Sequence, residues 1–321
     1  MSAQYLLRGA VIALAWLAVV NLAATGAIVI AAPRAARARR SRTSATPWLV
    51  LRLLPSAASL LFVGALFAPS YFWYEPRDPG EVVDATLAAL AVASIAIVAT
   101  GAARGILSWR RARRRSRAWI RSARPIALAG TSIAAYEIPI DRPMMALAGV
   151  IRPRLLVTRG IVDALTAEEL QASVAHEVGH WRAADNLKRL AMRAAPDLLF
   201  ATRAASALES RWAAAAEHAA DRGACRDFAT RCALASALVK VAKLTPPATP
   251  LAEPISTLVD GGDVASRVRM LLDDPDACIT RRSRWAAGLA VLATSALVVA
   301  SYPPLLRAVH DATEILVNAL P

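Results

Sequence analysis

Residues 166–185 read TAEELQASVAHEVGHWRAAD. They carry His176, Glu177 and His180 as H-E-x-x-H. On an α-helix, positions four apart lie on one face, so the two imidazoles can grip a single Zn²⁺. Glu177 faces the same metal from the intervening turn. The helix itself is well signalled. Thr166 and Glu169 form the pattern of a capping box, and Leu165, Leu170 and Val174 supply the apolar positions around it.

A catalytic zinc takes three protein ligands and leaves one position open. Downstream, EHAAD at 217–221 offers Glu217 as the third ligand. Asp221, four residues on, shares its face and is placed to fix the tautomer of a ligand imidazole. His218 is the runner-up ligand. It points about 100° away from Glu217, so the two do not serve the same metal. The second oxyanion donor is open between His218 and Arg222. Of the four histidines in the chain, two sit at ligand spacing around a glutamate, which argues against a chance match on an Ala-rich helix. His310 lies far along the chain and is assigned no role. Asp273, Asp274 and Asp276 lack the glycine-centred pattern of a Ca²⁺ loop and read as solvated.

The chain as a whole is 56% hydrophobic with a mean hydropathy of +0.41, yet it carries a net charge of +14. Apolar spans alternating with basic loops account for both values, and direct nucleic-acid binding is not expected. Spans are predicted over Ala10–Ala32, Trp48–Tyr74, Val82–Ala103 and Trp285–Leu306. A cleaved signal peptide would place its charge before the first apolar run; here the arginines (34, 37, 39, 40 and 42) follow it. That order, the run WRRARRRSRAWIRSAR at 109–124 and the arginines at 281, 282 and 284 put the basic loops in the cytoplasm and both termini outside. Arg52 is expected to snorkel to the headgroups. Residues 187–208 are apolar but punctuated by charge and divided by Pro196, so they are expected as an amphipathic helical pair against the protein or the membrane surface. Cys225, Cys232 and Cys278 form no C-x-x-C pair and no disulfide scaffold is expected.

The expected architecture is mainly α: a multi-pass membrane protein of four spans, with an α+β zincin-like domain between the third and fourth. The divisions fall at 1–124, 125–284 and 285–321. Within the soluble part, Arg154, Leu155, Leu156, Val157 and Thr158 form a predicted strand, taken as the edge that binds substrate by β-augmentation.

The stretches GVIRPRLLVTRGIVDALTAEELQASVAHEVGHWRAADN, EHAAD and SRVRMLL, with the layout of spans, resemble the BlaR/MecR-type membrane zinc peptidases. The resemblance implies one Zn²⁺ at His176, His180 and Glu217, Glu177 as base, Asp221 in support and Asp185 as a structural partner near the site. It also implies a bacterial inner-membrane enzyme with a cytoplasmic active site, acting on a protein substrate such as a transcriptional repressor. Only some fifteen residues follow the fourth span, so direct β-lactam binding is not expected. The HtpX-like quality-control peptidases share the zinc signature but generally place clear spans between H-E-x-x-H and the third ligand. A non-enzymatic signalling scaffold that keeps the zinc site is the third reading.

Overall fold

The computed structural model describes residues 2–38, 44–76, 84–244, 255–258, 264–273 and 301–317. The 285–300 part of the expected fourth span lies outside them, as do the acidic residues 274 and 276 and Cys278; residues 301–317 are helical. Among the described residues, three helices are long and apolar enough to cross a membrane, over Ala3–Arg34, Thr46–Tyr74 and Ala85–Arg121. The first lies within α1 (Ala3–Ala38). The second is α2 (Thr46–Leu61), a π-helical turn at Phe62–Phe67 and α3 (Ala68–Tyr74). The third, α4 (Ala85–Arg121), is capped by the Asp84 side chain on the Thr86 amide and extends through the arginine run well past its apolar part.

That extension carries a five-stranded sheet: β1 (Arg124–Ile126), β2 (Ala135–Ile138), β3 (Met145–Ala148), β4 (Arg154–Thr158) and β5 (Ile255–Thr257). The spatial order is β1-β2-β4-β3-β5, with only β2 and β4 parallel. One face of the sheet meets Trp119 and Ile120 of α4 through Ile138, Ala148 and Leu156. Its other face, with Leu147, Leu155 and Val157, packs on α6 (Ala167–Arg182), α9 (Phe228–Leu244) and α10 (Val264–Asp273). The arginine run is therefore a helix with one buried stripe and a solvated face. β4 is interior, paired on both sides, so it has no free backbone edge and cannot take a substrate strand as the sequence suggested.

After α6 the chain turns at Ala184, held in the left-handed region at φ 55°, into α7 (Asp185–Ala194). A short turn at Leu198–Ala201 leads to α8 (Arg203–Ala224). The expected helical pair is α7 and the start of α8, packed against the protein: the 195–201 segment between them is wedged against α1, α2 and α4, with Phe200 partly exposed. Asn21 donates to the Pro196 carbonyl at 2.9 Å and accepts from the Leu198 amide at 3.1 Å. Arg52 is fully buried. It meets Asp197 at 3.1 Å and Glu209 at 2.8 Å, and donates to the Met192 carbonyl. A guanidinium inside an apolar bundle needs carboxylate partners, and these are closer than any headgroup. Ile28, Trp48, Met192, Leu199, Leu208 and Trp212 close a second core where the bundle meets α7 and α8.

The approach is close because two glycines allow it. A Cβ on Gly101 would stand 2.8 Å from the Ala194 carbonyl oxygen, and one on Gly105 would stand 2.7 Å from the Ala194 Cβ. The pair forms a G-x-x-x-G notch on α4 into which the end of α7 fits. Gly26 on α1 faces open space. We therefore expect Gly101→Val to lower the melting temperature of the detergent-solubilised protein by several degrees, corresponding to about 1–3 kcal/mol of overpacking. Gly26→Val should leave it within a degree or two.

Candidate metal centre

α6 begins with a complete capping box: Thr166 Oγ1 accepts from the Glu169 amide, and the Glu169 carboxylate accepts from the Thr166 amide. Glu169 is further held by Ser236 and Lys240 of α9 at 2.6 and 2.8 Å. The helix is thus fixed at its start, and its last two turns bring His176, Glu177 and His180 into the interior, each 0–1% exposed. α8 crosses α6 at Gly179, where an added Cβ would lie 3.3 Å from the Ala220 Cα. That crossing sets Glu217 over the imidazole pair.

The Nε2 atoms of His176 and His180 are 3.1 Å apart. Glu217 places its oxygens 3.5 Å from the first and 3.4 Å from the second. One ligand atom from each of the three residues lies within 4.8 Å of the others. Behind them, His180 Nδ1 meets Asp185 Oδ2 at 2.8 Å and His176 Nδ1 meets Asp221 Oδ1 at 2.9 Å. Both aspartates sit below the ordinary carboxylate range. Burial opposes this for each; the His180 contact overcomes it for Asp185, and Arg267 with His176 does so for Asp221, which falls to about 2. An ionised carboxylate can only accept, so each Nδ1 carries the proton and each Nε2 turns a bare lone pair inward. Two lone pairs and a carboxylate converging in a buried space require a cation between them. The donor set of two imidazoles and one carboxylate, with no thiolate, fits Zn²⁺.

Without a metal, a proton must do the same work. Burial lowers the His180 pKa, but Asp185 and Glu217 outweigh it and raise it to about 10. Glu177 is the counterpoint: both its oxygens are buried without hydrogen-bond partners among the described residues, and burial pushes its pKa up. It is an unshared base beside the centre.

One residue that binds the carboxylates of this site carries no assignment from the sequence. Arg267, on α10, is 3% exposed. Its Nε and Nη2 donate to Asp221 at 2.8 and 2.6 Å, and its Nη1 lies 3.0 Å from Glu217 and donates to the Leu258 carbonyl. It offsets two buried carboxylates and fixes both relative to the imidazoles. The only sequence signal was its place in SRVRMLL. Asp185, the first residue of α7, turns its side chain back to His180 and to Lys188. His218 is half-buried, its pKa lowered by burial, and Arg222 lies against Met270; neither is brought into the ligand group.

A model of peptidase family M48 matches residues 110–256. The match runs from the arginine-rich end of α4 through β5 and includes all three candidate ligands and Glu177. It supports an M48-family metallopeptidase, a group that is typically zinc-dependent. No curated protein and no solved structure matches the chain.

Two predictions follow from the pKa pattern and the guanidinium fork. The raised His180 pKa stabilises the metal-stripped protein fully below the ordinary histidine value of 6.5, and that stabilisation is lost as pH rises through about 10. Zinc taken up at pH 7.5 must therefore expel about one proton from the site, seen as a calorimetric heat that varies with the ionisation enthalpy of the buffer. Arg267→Met leaves Asp221 and Glu217 buried without their counter-charge, and should cost about 3–5 kcal/mol of stability together with at least tenfold in zinc affinity.

Proposed function

We propose that this chain is a membrane-anchored zinc endopeptidase whose active centre faces the cytoplasm and whose role is regulatory proteolysis of a protein substrate. The observation that carries the chemistry is the convergence of His176, His180 and Glu217 on one buried point with the unpartnered Glu177 beside it. His176, His180 and Glu217 would hold the ion, oriented by Asp221 and Asp185. Zinc bound there supplies Lewis acidity to a water and to the scissile carbonyl. Glu177 takes the proton from the attacking water and returns it to the leaving amine; burial raises its pKa and makes it a stronger base than a solvated carboxylate. Asp221 and Asp185 keep the imidazoles in the tautomer that presents Nε2. Arg267 holds Glu217 and Asp221 in place and does not touch the substrate. Since β4 is interior, an extended substrate could add a strand only at β1 or β5, and β5 borders α6.

The cytoplasmic orientation is supported by the arginines in the last turns of α4 and around the end of α1, which favour the inner side of a bilayer. Regulation is favoured over HtpX-like quality control by the segment between the ligand helices: 195–201 is a wedge against the bundle and not a pair of added spans. Any shift among α1, α2 and α4 would thus bear on both ligand helices. We expect wild type and Glu177→Gln to bind about one zinc each, with cleavage of a co-expressed substrate or of casein falling by at least 10³-fold in the variant. Equal cleavage by both proteins would remove Glu177 from the chemistry. Zinc in neither would refute the reading altogether.

A further inference from the structure

A cleft of about 620 Å³ opens between α1 and α4, walled by Ala18, Val19, Leu22, Ala93 and Ile97 and floored by Leu198 and Phe200 of the wedge. On α4, Leu90, Ala93, Ile97 and Thr100 line it at a three-four spacing, and the next residue of that stripe is Arg104. From Leu90 to Thr100 is about 15 Å of helix, half the ~30 Å hydrocarbon core and so the depth of one leaflet. Arg104 stacks its guanidinium 4.2 Å over the Phe200 ring. Its Nη1 is buried, with no hydrogen-bond partner among the described residues. The surrounding charges do not balance. Arg52 and Arg193 pair with Asp197 and Glu209, within the field of Arg104, which leaves Arg104 without a carboxylate partner among the described residues. The site therefore joins one cation without a carboxylate partner among the described residues to an apolar slot of single-leaflet length. The described part of the last helix rests elsewhere: Tyr302 donates to the Ala65 carbonyl and Ser70 donates to the Leu306 carbonyl.

We propose that this cleft binds one anionic phospholipid from the leaflet adjoining the peptidase domain, its phosphate on Arg104 and an acyl chain between α1 and α4 against Leu198 and Phe200. Because the floor belongs to the segment joining the two ligand helices, the lipid also fixes how that segment seats in the bundle. The inference rests on the three helices crossing a bilayer and does not depend on the peptidase chemistry.

The full chain, delipidated in detergent, is titrated with phosphatidylglycerol or phosphatidylcholine of identical acyl chains and read by native mass spectrometry. Wild type is expected to retain one phosphatidylglycerol at concentrations where phosphatidylcholine occupancy is at least tenfold lower. Arg104→Gln should lose that preference and Arg104→Lys should keep most of it. Ala93→Phe, which fills the slot and keeps the charge, should lose the bound lipid; a melting temperature near that of wild type certifies that each variant is folded. Equal phosphatidylglycerol retention by wild type and Arg104→Gln, or unchanged binding by Ala93→Phe, would overturn the proposal. So would displacement of the lipid by millimolar inorganic phosphate, which would make this a free-anion site. A disulfide formed between Ala93→Cys and a cysteine placed within residues 285–300 would assign the cleft to the chain itself and equally overturn it.

Discussion

Two imidazole nitrogens held 3.1 Å apart in a buried interior, each backed by a carboxylate, are the constraint on which the domain around them is arranged. Neither nitrogen can donate to the other without an added cation, so the surrounding protein must supply negative charge and keep it from collapsing. It does so with Glu217 above the pair, Asp185 and Asp221 behind it, and Arg267 to hold two of the three carboxylates in register. The supports come from three helices: Asp185 from α7, Glu217 and Asp221 from α8, and Arg267 from α10. The capping box and α9 fix the start of α6, the Gly179 crossing brings α8 close, the left-handed Ala184 folds α7 back to deliver Asp185, and α10 delivers Arg267. A non-glycine residue in the left-handed region costs roughly 1 kcal/mol, a small cost against a buried charge-assisted contact to a ligand imidazole.

The same chain segment that closes the metal centre also docks the domain on the bundle. α7 carries Asp185 at its first residue and ends against the Gly101–Gly105 notch; within three residues follow Pro196 on Asn21 and Asp197 on Arg52. Buried ion pairs add little net stability, because desolvation offsets their attraction. They do specify one seating, since any other leaves Arg52 or Asp197 unpaired in an apolar environment. The centre and the bundle thus form one packed unit, with His180 linked to α4 through a single ten-residue helix.

The parts of this arrangement that could be read from sequence are those set by local periodicity. The H-E-x-x-H helix, its cap, the three apolar spans and the E-x-x-x-D face of α8 all repeat at helical spacing, so neighbours in sequence are neighbours in space. What could not be read depends on long-range pairing. Nothing local distinguishes an Arg52 that reaches for headgroups from one that meets Asp197, 145 residues away. Arg267 is one arginine among many until α10 folds over Asp221. β4 looked like an accessible strand because the composition of RLLVT suits a strand whether one or two neighbours flank it; β2 and β3 together exclude it as an edge.

The ligand set is most directly tested by zinc K-edge absorption spectroscopy of the purified full-length protein. The account predicts a shell of nitrogen and oxygen at about 2.0–2.1 Å, with the outer-shell signature of two imidazoles and no sulfur near 2.3 Å. In Glu217→Ala the two-imidazole signature should persist with weakened zinc retention, whereas His176→Ala should reduce it to one. A sulfur shell, or a spectrum unchanged by His176→Ala, would contradict it.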